Sequence, residues 1–225
     1  MKPAIIALDL DLTLVNVFPG WEKMCGLWAD TLYLPVATVI ERGSKFWNTQ
    51  GLIYTPELHR DALLQREVVT GEAEIADIAD IDSAMETFYK WLADGHAVYD
   101  DVPDFIAWAD ACEMVEGTGI ISFGQPEFQT RKLNSLPAPS SGFDPITFTN
   151  FSGRKARKLI FLHGRSRPII FVDDNPSEHE PAMAYHNVRR VQILRDPDAV
   201  PSGFAQWHIR SLMEIHDLMP QLLAG

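Results

Sequence analysis

Ala4-Ile5-Ile6-Ala7-Leu8 runs straight into Asp9-Leu10-Asp11-Leu12-Thr13. An unbroken apolar run of this kind predicts a strand buried on both faces, as in a parallel sheet. Side chains alternate along a strand, so Asp9 and Asp11 project the same way, roughly 6–7 Å apart. Carboxylates at the carboxyl end of a buried strand stand where open α/β sheets bind ligands. Two of them stay ionised side by side only when a cation neutralises them. Mg²⁺ suits the pair, being hard, oxygen-seeking and able to keep positions open for a phosphate. A calcium loop does not fit. With Asp9 in first place it needs Gly at the sixth position and Glu at the twelfth, where this chain has Leu14 and Gly20.

Working outward, Pro168-Ile169-Ile170-Phe171-Val172 is a second buried strand, and it ends in Asp173-Asp174-Asn175-Pro176. Adjacent acids after such a run are costly to bury without a cation or donors. Asp-Asn-Pro is also good turn chemistry and by itself needs no metal. Neighbouring parallel strands deliver their carboxyl ends to one place, which ties this pair to Asp9 and Asp11. A third strand, Gly119-Ile120-Ile121, ends in Ser122, and Pro126 then suits the first position of a helix. A hydroxyl there can hold a phosphoryl oxygen, with amide donors from the helix start beside it. The segment Gly153-Arg154-Lys155-Ala156-Arg157-Lys158-Leu159 reads as a helix, basic along its length, that offers Lys155 or Lys158.

Asp-x-Asp-x-Thr after an apolar strand, then a strand-ending Ser, a Lys and a later acidic pair, resembles the haloacid dehalogenase-like superfamily. Most members of that family are phosphatases, and the likeness covers nearly the whole chain in motif order. It implies that Asp9 attacks phosphorus to form an aspartyl-phosphate and that Asp11 serves as general acid and then base. It further implies Mg²⁺ held by Asp9, the Asp11 carbonyl and Asp174, with Asp173 in support. Ser122 and Lys155 would bind the phosphoryl oxygens, and Thr13 would brace the loop. Lys155, at the helix start after Ile146-Thr147-Phe148, stands where the family places its lysine, so it is taken over Lys158. Phe123 departs from the family's usual small polar residue after the Ser. A dehalogenase of the same fold lacks the second acid, so Asp11 favours phosphoryl chemistry. A phosphomutase or a catalytically silent phospho-ligand-binding protein are the other readings.

From about Val98 onward, strands and helices alternate: helices over 102–112, 127–133, near 178–186 and over 209–223, with strands through Ser122, Ile146 and Asp173 and over 188–194. That order predicts an α/β, doubly wound parallel sheet, Rossmann-like under the resemblance. Pro137-Ala138-Pro139-Ser140-Ser141-Gly142 reads as a loop. Roughly eighty residues separate the first strand from Val98, far beyond an ordinary βα connection. They read as helices over 21–32, 35–42, 56–70 and 81–93, with Gly71 capping the third. The expected organisation is a catalytic core of residues 1–16 and 97–225 with a small helical cap, 17–96, inserted. The resemblance implies that such a cap closes over the core and selects the substrate. Trp47 and Tyr54, flanking Asn48-Thr49-Gln50-Gly51 read as a loop, are its substrate-binding candidates.

The 225 residues carry a net charge of −12 with no offsetting basic block. That excludes a nucleic-acid partner, since phosphate backbones would be repelled. A small phosphorylated substrate remains compatible, because a local cation and a lysine outweigh the global charge. Cys25 and Cys112 are too few for a disulfide framework or a zinc site and read as core thiols. The N-terminal apolar run meets Asp9 too soon for an export signal or a membrane span, so the cytoplasm is the expected location.

Overall fold

The computed structural model describes residues 3–50, 53–70, 75–136 and 143–224, and the side chains of these except 44–50, 65–70 and 75–77. The chain divides into two compact units, one of Met1–Asn16, Val98–Phe123 and Leu136–Gly225, the other of Val17–Ala97 and Gly124–Ser135.

The first unit is built on a six-stranded sheet, every neighbouring pair of which is parallel. Its strands are β1 (Ala4–Leu8), β2 (Val115–Phe123), β3 (Phe143–Thr149), β4 (Ile169–Asp173), β5 (Val188–Ile193) and β6 (Trp207–Ile209), in the order β3-β2-β1-β4-β5-β6. All residues of β1 and β4 are buried, which is why both read as continuous apolar runs and not as alternating ones. Ala7, Ile121, Leu159, Ile169, Phe171 and Val188 belong to one buried cluster. Fully burying an aliphatic or aromatic side chain contributes about 1.5–3 kcal/mol. The chain moves outward from β1 through β2 to β3 and then returns to β4 on the other side of β1. That reversal makes the carboxyl ends of β1, β2 and β4 a topological switch point.

Four helices of this unit follow the alternation: α5 (Val102–Ala111), α7 (Lys155–His163), α8 (Pro176–Ala182) and α9 (Glu214–Ala224). The edge strand β6 is absent from the sequence reading, which runs the last helix from Ile209. Three residues are too short a run for a period-2 pattern to register. The entry to α9 is held instead by Ser211 and Glu214: Glu214 Oε1 accepts the Ser211 amide at 2.9 Å, and the Ser211 hydroxyl accepts the Met213 amide at 3.2 Å. Likewise α8 ends at Ala182, short of the expected His186, with Pro181 in its last turn.

The second unit is helical: α1 (Phe18–Thr31), α2 (Val36–Gln50), α3 (Pro56–Thr70), α4 (Ile75–Ala93) and α6 (Pro126–Leu133). It therefore takes in α6, which the sequence reading leaves in the core. The reason is aromatic packing: Phe128 of α6 meets Tyr54, Phe88 and Tyr89 at ring-centroid distances of 6.2–6.4 Å. Trp28 is buried and donates its indole N–H to the Ile81 carbonyl at 2.9 Å, joining α1 to α4. Gly43 faces the ring of the buried His59, where a Cβ would come within 2.4 Å of Nε2. Helix α2 continues through Trp47 to Gln50, so this stretch is not the loop expected from Asn48-Thr49-Gln50. No proline interrupts it, and extending a formed helix by such residues costs only tenths of a kcal/mol each. Gly71 and the 137–142 segment lie outside the described residues. Among the described residues no helix is long and apolar enough to cross a membrane.

Candidate active site

β1 ends at Leu8, and just past Asp9 the chain enters a tight turn over residues 10–15, so the two acids do not share one extended strand. The Leu14 and Val15 amides both donate to the Leu10 carbonyl, at 2.9 and 3.0 Å, and Leu12 donates to Val15 O at 2.7 Å. Leu12 takes φ 54°, in the left-handed region that a leucine rarely occupies. Such a conformation costs on the order of 1–3 kcal/mol and persists where surrounding contacts impose it. The turn nonetheless puts both acids on one cavity of about 320 Å³ within the first unit, lined among others by Asp9, Asp11, Ser122, Lys155 and Asp174.

Register explains the convergence. Leu8 pairs with Ile120 of β2 and with Val172 of β4, so Asp9 stands level with the residues before Ser122 and with Asp173. The Asp9 amide donates to the Val172 carbonyl at 2.9 Å. Asp9, Ser122, Lys155 and Asp173 are all buried. Lys155, the first residue of α7, places Nζ 2.9 Å from Asp9 Oδ1 and 2.7 Å from Asp173 Oδ2. Burial works against the Lys155 charge, but Asp173 and Asp9 outweigh it and hold the ammonium protonated. Lys158 is exposed, with its ammonium 5.8 Å from the centre of the Phe161 ring. Phe123 is 38% exposed and also lines the cavity.

Asp9, Asp173 and Asp174 each offer one carboxylate oxygen, and these atoms lie within 4.8 Å of one another. Burial pushes all three acids upward against the pull of Lys155, and neighbouring carboxylates add to it: Asp11 at Asp9, Asp9 and Asp174 at Asp173, and Asp9 and Asp11 at Asp174, which is taken to about 7. One ammonium does not balance this group, and an all-oxygen donor set suits a hard divalent cation. Asp173 already accepts Lys155 on Oδ2 and the Asn175 amide on Oδ1. With both Asp173 oxygens engaged, the Asp9 and Asp174 carboxylates are the ones that could hold such a cation.

Several residues that brace the site carry no sequence signal. Glu178 of α8, 1% exposed, accepts the Gly153 amide at 2.6 Å, the Ser152 hydroxyl at 3.2 Å and the Lys155 amide at 3.4 Å. It thus caps α7 from outside that helix and fixes the backbone of Lys155. His179 donates from Nε2 to the Asp173 carbonyl at 3.0 Å, and burial lowers its pKa to about 4, so the ring is neutral. The Gln192 amide holds the Asp174 carbonyl at 3.2 Å. Thr13 is buried, and its brace runs through the main chain: Arg195 donates to its carbonyl, whereas its hydroxyl has no hydrogen-bond partner among the described residues.

Two substrate-binding candidates come from the helical unit. Tyr54 belongs to the second unit, where it packs on Trp21, His59 and Phe128. Trp47 is in α2, and its side chain lies outside the described residues.

No family model matches the sequence, and no curated protein does. Solved structures match throughout its length. A haloacid dehalogenase-like family hydrolase from Xanthomonas campestris aligns over 100% of this chain and 99% of its own, with TM-score 0.69 and 15% identity. A 2-haloacid dehalogenase from Pseudomonas syringae pv. tomato covers 99% of each chain, with TM-score 0.65 and 16% identity. A predicted phosphoglycolate phosphatase from Haemophilus somnus covers 97% of this chain and 98% of its own, with TM-score 0.63 and 13% identity. The chain has the haloacid dehalogenase-like fold, and that fold houses both chemistries.

Proposed function

We propose that this chain is a Mg²⁺-dependent hydrolase of small phosphate monoesters. One observation carries the choice between the two chemistries of the fold: a second acid, Asp11, lines the same cavity as Asp9, Ser122, Lys155 and Asp174. Carbon–halogen cleavage needs no proton donor for a departing halide. Ester cleavage expels an alkoxide, which does.

The Asp9 carboxylate attacks phosphorus, forming an acyl phosphate as the ester P–O bond breaks. Asp11 in its acid form gives its proton to the departing oxygen. The Asp11 carboxylate then takes a proton from water, whose oxygen attacks the same phosphorus. Inorganic phosphate leaves, and Asp9 is restored. Ser122 and the Lys155 ammonium meet the equatorial oxygens, where charge is concentrated in the transition state. Asp173, buried behind Lys155, keeps that ammonium charged and in place. Asp9, Asp174 and the Asp11 carbonyl would hold Mg²⁺, which would supply the remaining positive charge that a phosphate dianion needs in this acidic pocket. The helical second unit selects the ester, since all of these residues lie outside it.

The test is incubation of the purified chain with p-nitrophenyl phosphate and, separately, with 2-chloropropionate, with and without Mg²⁺. Phosphate release that stops with chelator and returns with added Mg²⁺ is the expected result. Halide release without phosphate release, or full ester turnover in excess chelator, overturns the proposal. Binding of phosphate esters without turnover identifies a silent binding protein instead.

A further inference from the structure

Arg195 stands just beyond β5, away from every motif so far used, yet its guanidinium reaches the turn that carries the two acids. Nε and Nη2 donate to the Thr13 carbonyl at 3.2 and 2.7 Å. Nη1 and Nη2 form a fork on Asp101, at 2.8 and 2.9 Å. The guanidinium carbon lies 4.1 Å from the centre of the Tyr99 ring, and the side chain is only 8% exposed. Asp101 is fixed in turn: its Oδ2 also accepts the Ser211 hydroxyl at 2.8 Å and the Leu212 amide at 2.7 Å. These are the residues that lead into α9.

We propose that Arg195, oriented by Asp101, is a positioning residue that sets the geometry of the Asp9–Asp11 turn by holding the Thr13 carbonyl. The inference rests on the reading of Asp9 as nucleophile and Asp11 as acid and base. The turn contains a leucine with φ 54°, one position before Thr13. A strained residue keeps its conformation only when its neighbours over-determine it. Two charge-assisted donors on the adjacent carbonyl do that, and Arg195 is the residue that provides them. A lysine retains the charge but cannot hold one carbonyl and grip a carboxylate with a planar fork at once. Misplacement of a reacting group by about 1 Å costs on the order of 10²-fold in rate. The loss should therefore fall on kcat, since neither Arg195 nor Asp101 lines the cavity that receives the phosphate.

Steady-state kinetics on p-nitrophenyl phosphate with Mg²⁺, for the full chain and for Arg195→Lys, Asp101→Asn and the double variant, tests this. Expected is a fall in kcat per folded molecule of about 10–100-fold in Arg195→Lys with KM within about threefold of the parent. The double variant should be no slower than the slower single one, because both changes break one device. Unchanged kcat per folded molecule, or additive losses, overturns the proposal. Amide hydrogen exchange in an Asp9→Asn background gives a readout independent of turnover. Exchange at Leu12, Leu14 and Val15 should rise at least tenfold in Arg195→Lys while β4 amides are unaffected. A parent that hydrolyses no ester sinks the functional reading, and exchange still judges the tie. If neither single variant folds, faster exchange at these three amides in Ser211→Ala supports the proposal, and parental exchange overturns it.

Discussion

Lys155 Nζ lies 2.7 Å from Asp173 Oδ2, and neither side chain is more than 3% exposed. Asp173 is therefore the anchor that, together with Asp9, outweighs the desolvation of this buried ammonium. The same anchor explains why the pair of acids at the end of β4 is not interchangeable: Asp173 points to the lysine, and Asp174 lines the cavity.

Removing the lysine should be costly to the fold itself. Lys155→Met leaves Asp9 and Asp173 buried without their cation, and breaking a buried pair in this way costs about 3–5 kcal/mol. Urea denaturation should show that loss, while the exposed Lys158→Met stays within about 0.5 kcal/mol of the parent. Equal effects at the two lysines would show that the Asp9–Lys155–Asp173 cluster adds nothing to stability.

Asp9→Asn should abolish turnover while circular dichroism stays that of the parent. The amide keeps the shape, accepts the Lys155 contact through its oxygen and removes the nucleophile. A fall of at least about 10³-fold in kcat on an aryl phosphate is expected. Substantial residual turnover excludes Asp9 from the nucleophilic role.

The parts of this site that were legible in the sequence share one physical origin. Strands buried on both faces must be apolar throughout, so Asp9 and Asp173 stood out as carboxylates ending such runs. Topology then did the rest, because parallel neighbours of β1 bring their carboxyl ends together. Glu178 and Arg195 were illegible for the opposite reason. What ties them to the site is main-chain groups, the Gly153 and Lys155 amides and the Thr13 carbonyl, and any residue type supplies those. The placement of α6 was hidden too, since it depends on Phe128 meeting aromatic rings from α4 and from Tyr54, just before α3. The last helix is expected from Ile209. A three-residue edge strand ends there instead.

The second unit should lose stability in mild acid through His59. This ring is fully buried, with Nε2 on the Val39 carbonyl at 3.0 Å, and burial lowers its pKa below the ordinary 6.5. The unfolded chain therefore takes up a proton at this residue before the folded one does. The stabilisation is complete above pH 6.5 and is lost as pH falls below it, at up to about 1.4 kcal/mol per pH unit for one proton. Chemical denaturation at pH 7.5, 6.5 and 5.5 should show this slope in the parent and a shallower one in His59→Gln. Parallel slopes in the two proteins would show that protonation of His59 is not the cause.

Tyr54 should matter to packing more than to substrate choice. Its hydroxyl accepts the Trp21 indole N–H, and its ring lies 6.4 Å from Trp21, 6.0 Å from His59 and 6.2 Å from Phe128. Burial holds its phenol well above its ordinary pKa, as expected of a group built into a unit's interior. Tyr54→Phe keeps the ring contacts and takes the acceptor from the indole, a loss of about 1 kcal/mol. Relative rates on aryl, sugar and two-carbon phosphate esters should stay within about twofold of the parent's. Trp47→Ala in α2 provides the contrast: if the helical unit selects the substrate through this residue, it reorders those rates by tenfold or more. Reordered rates in Tyr54→Phe with unchanged stability would reverse the assignment and make the tyrosine the substrate contact.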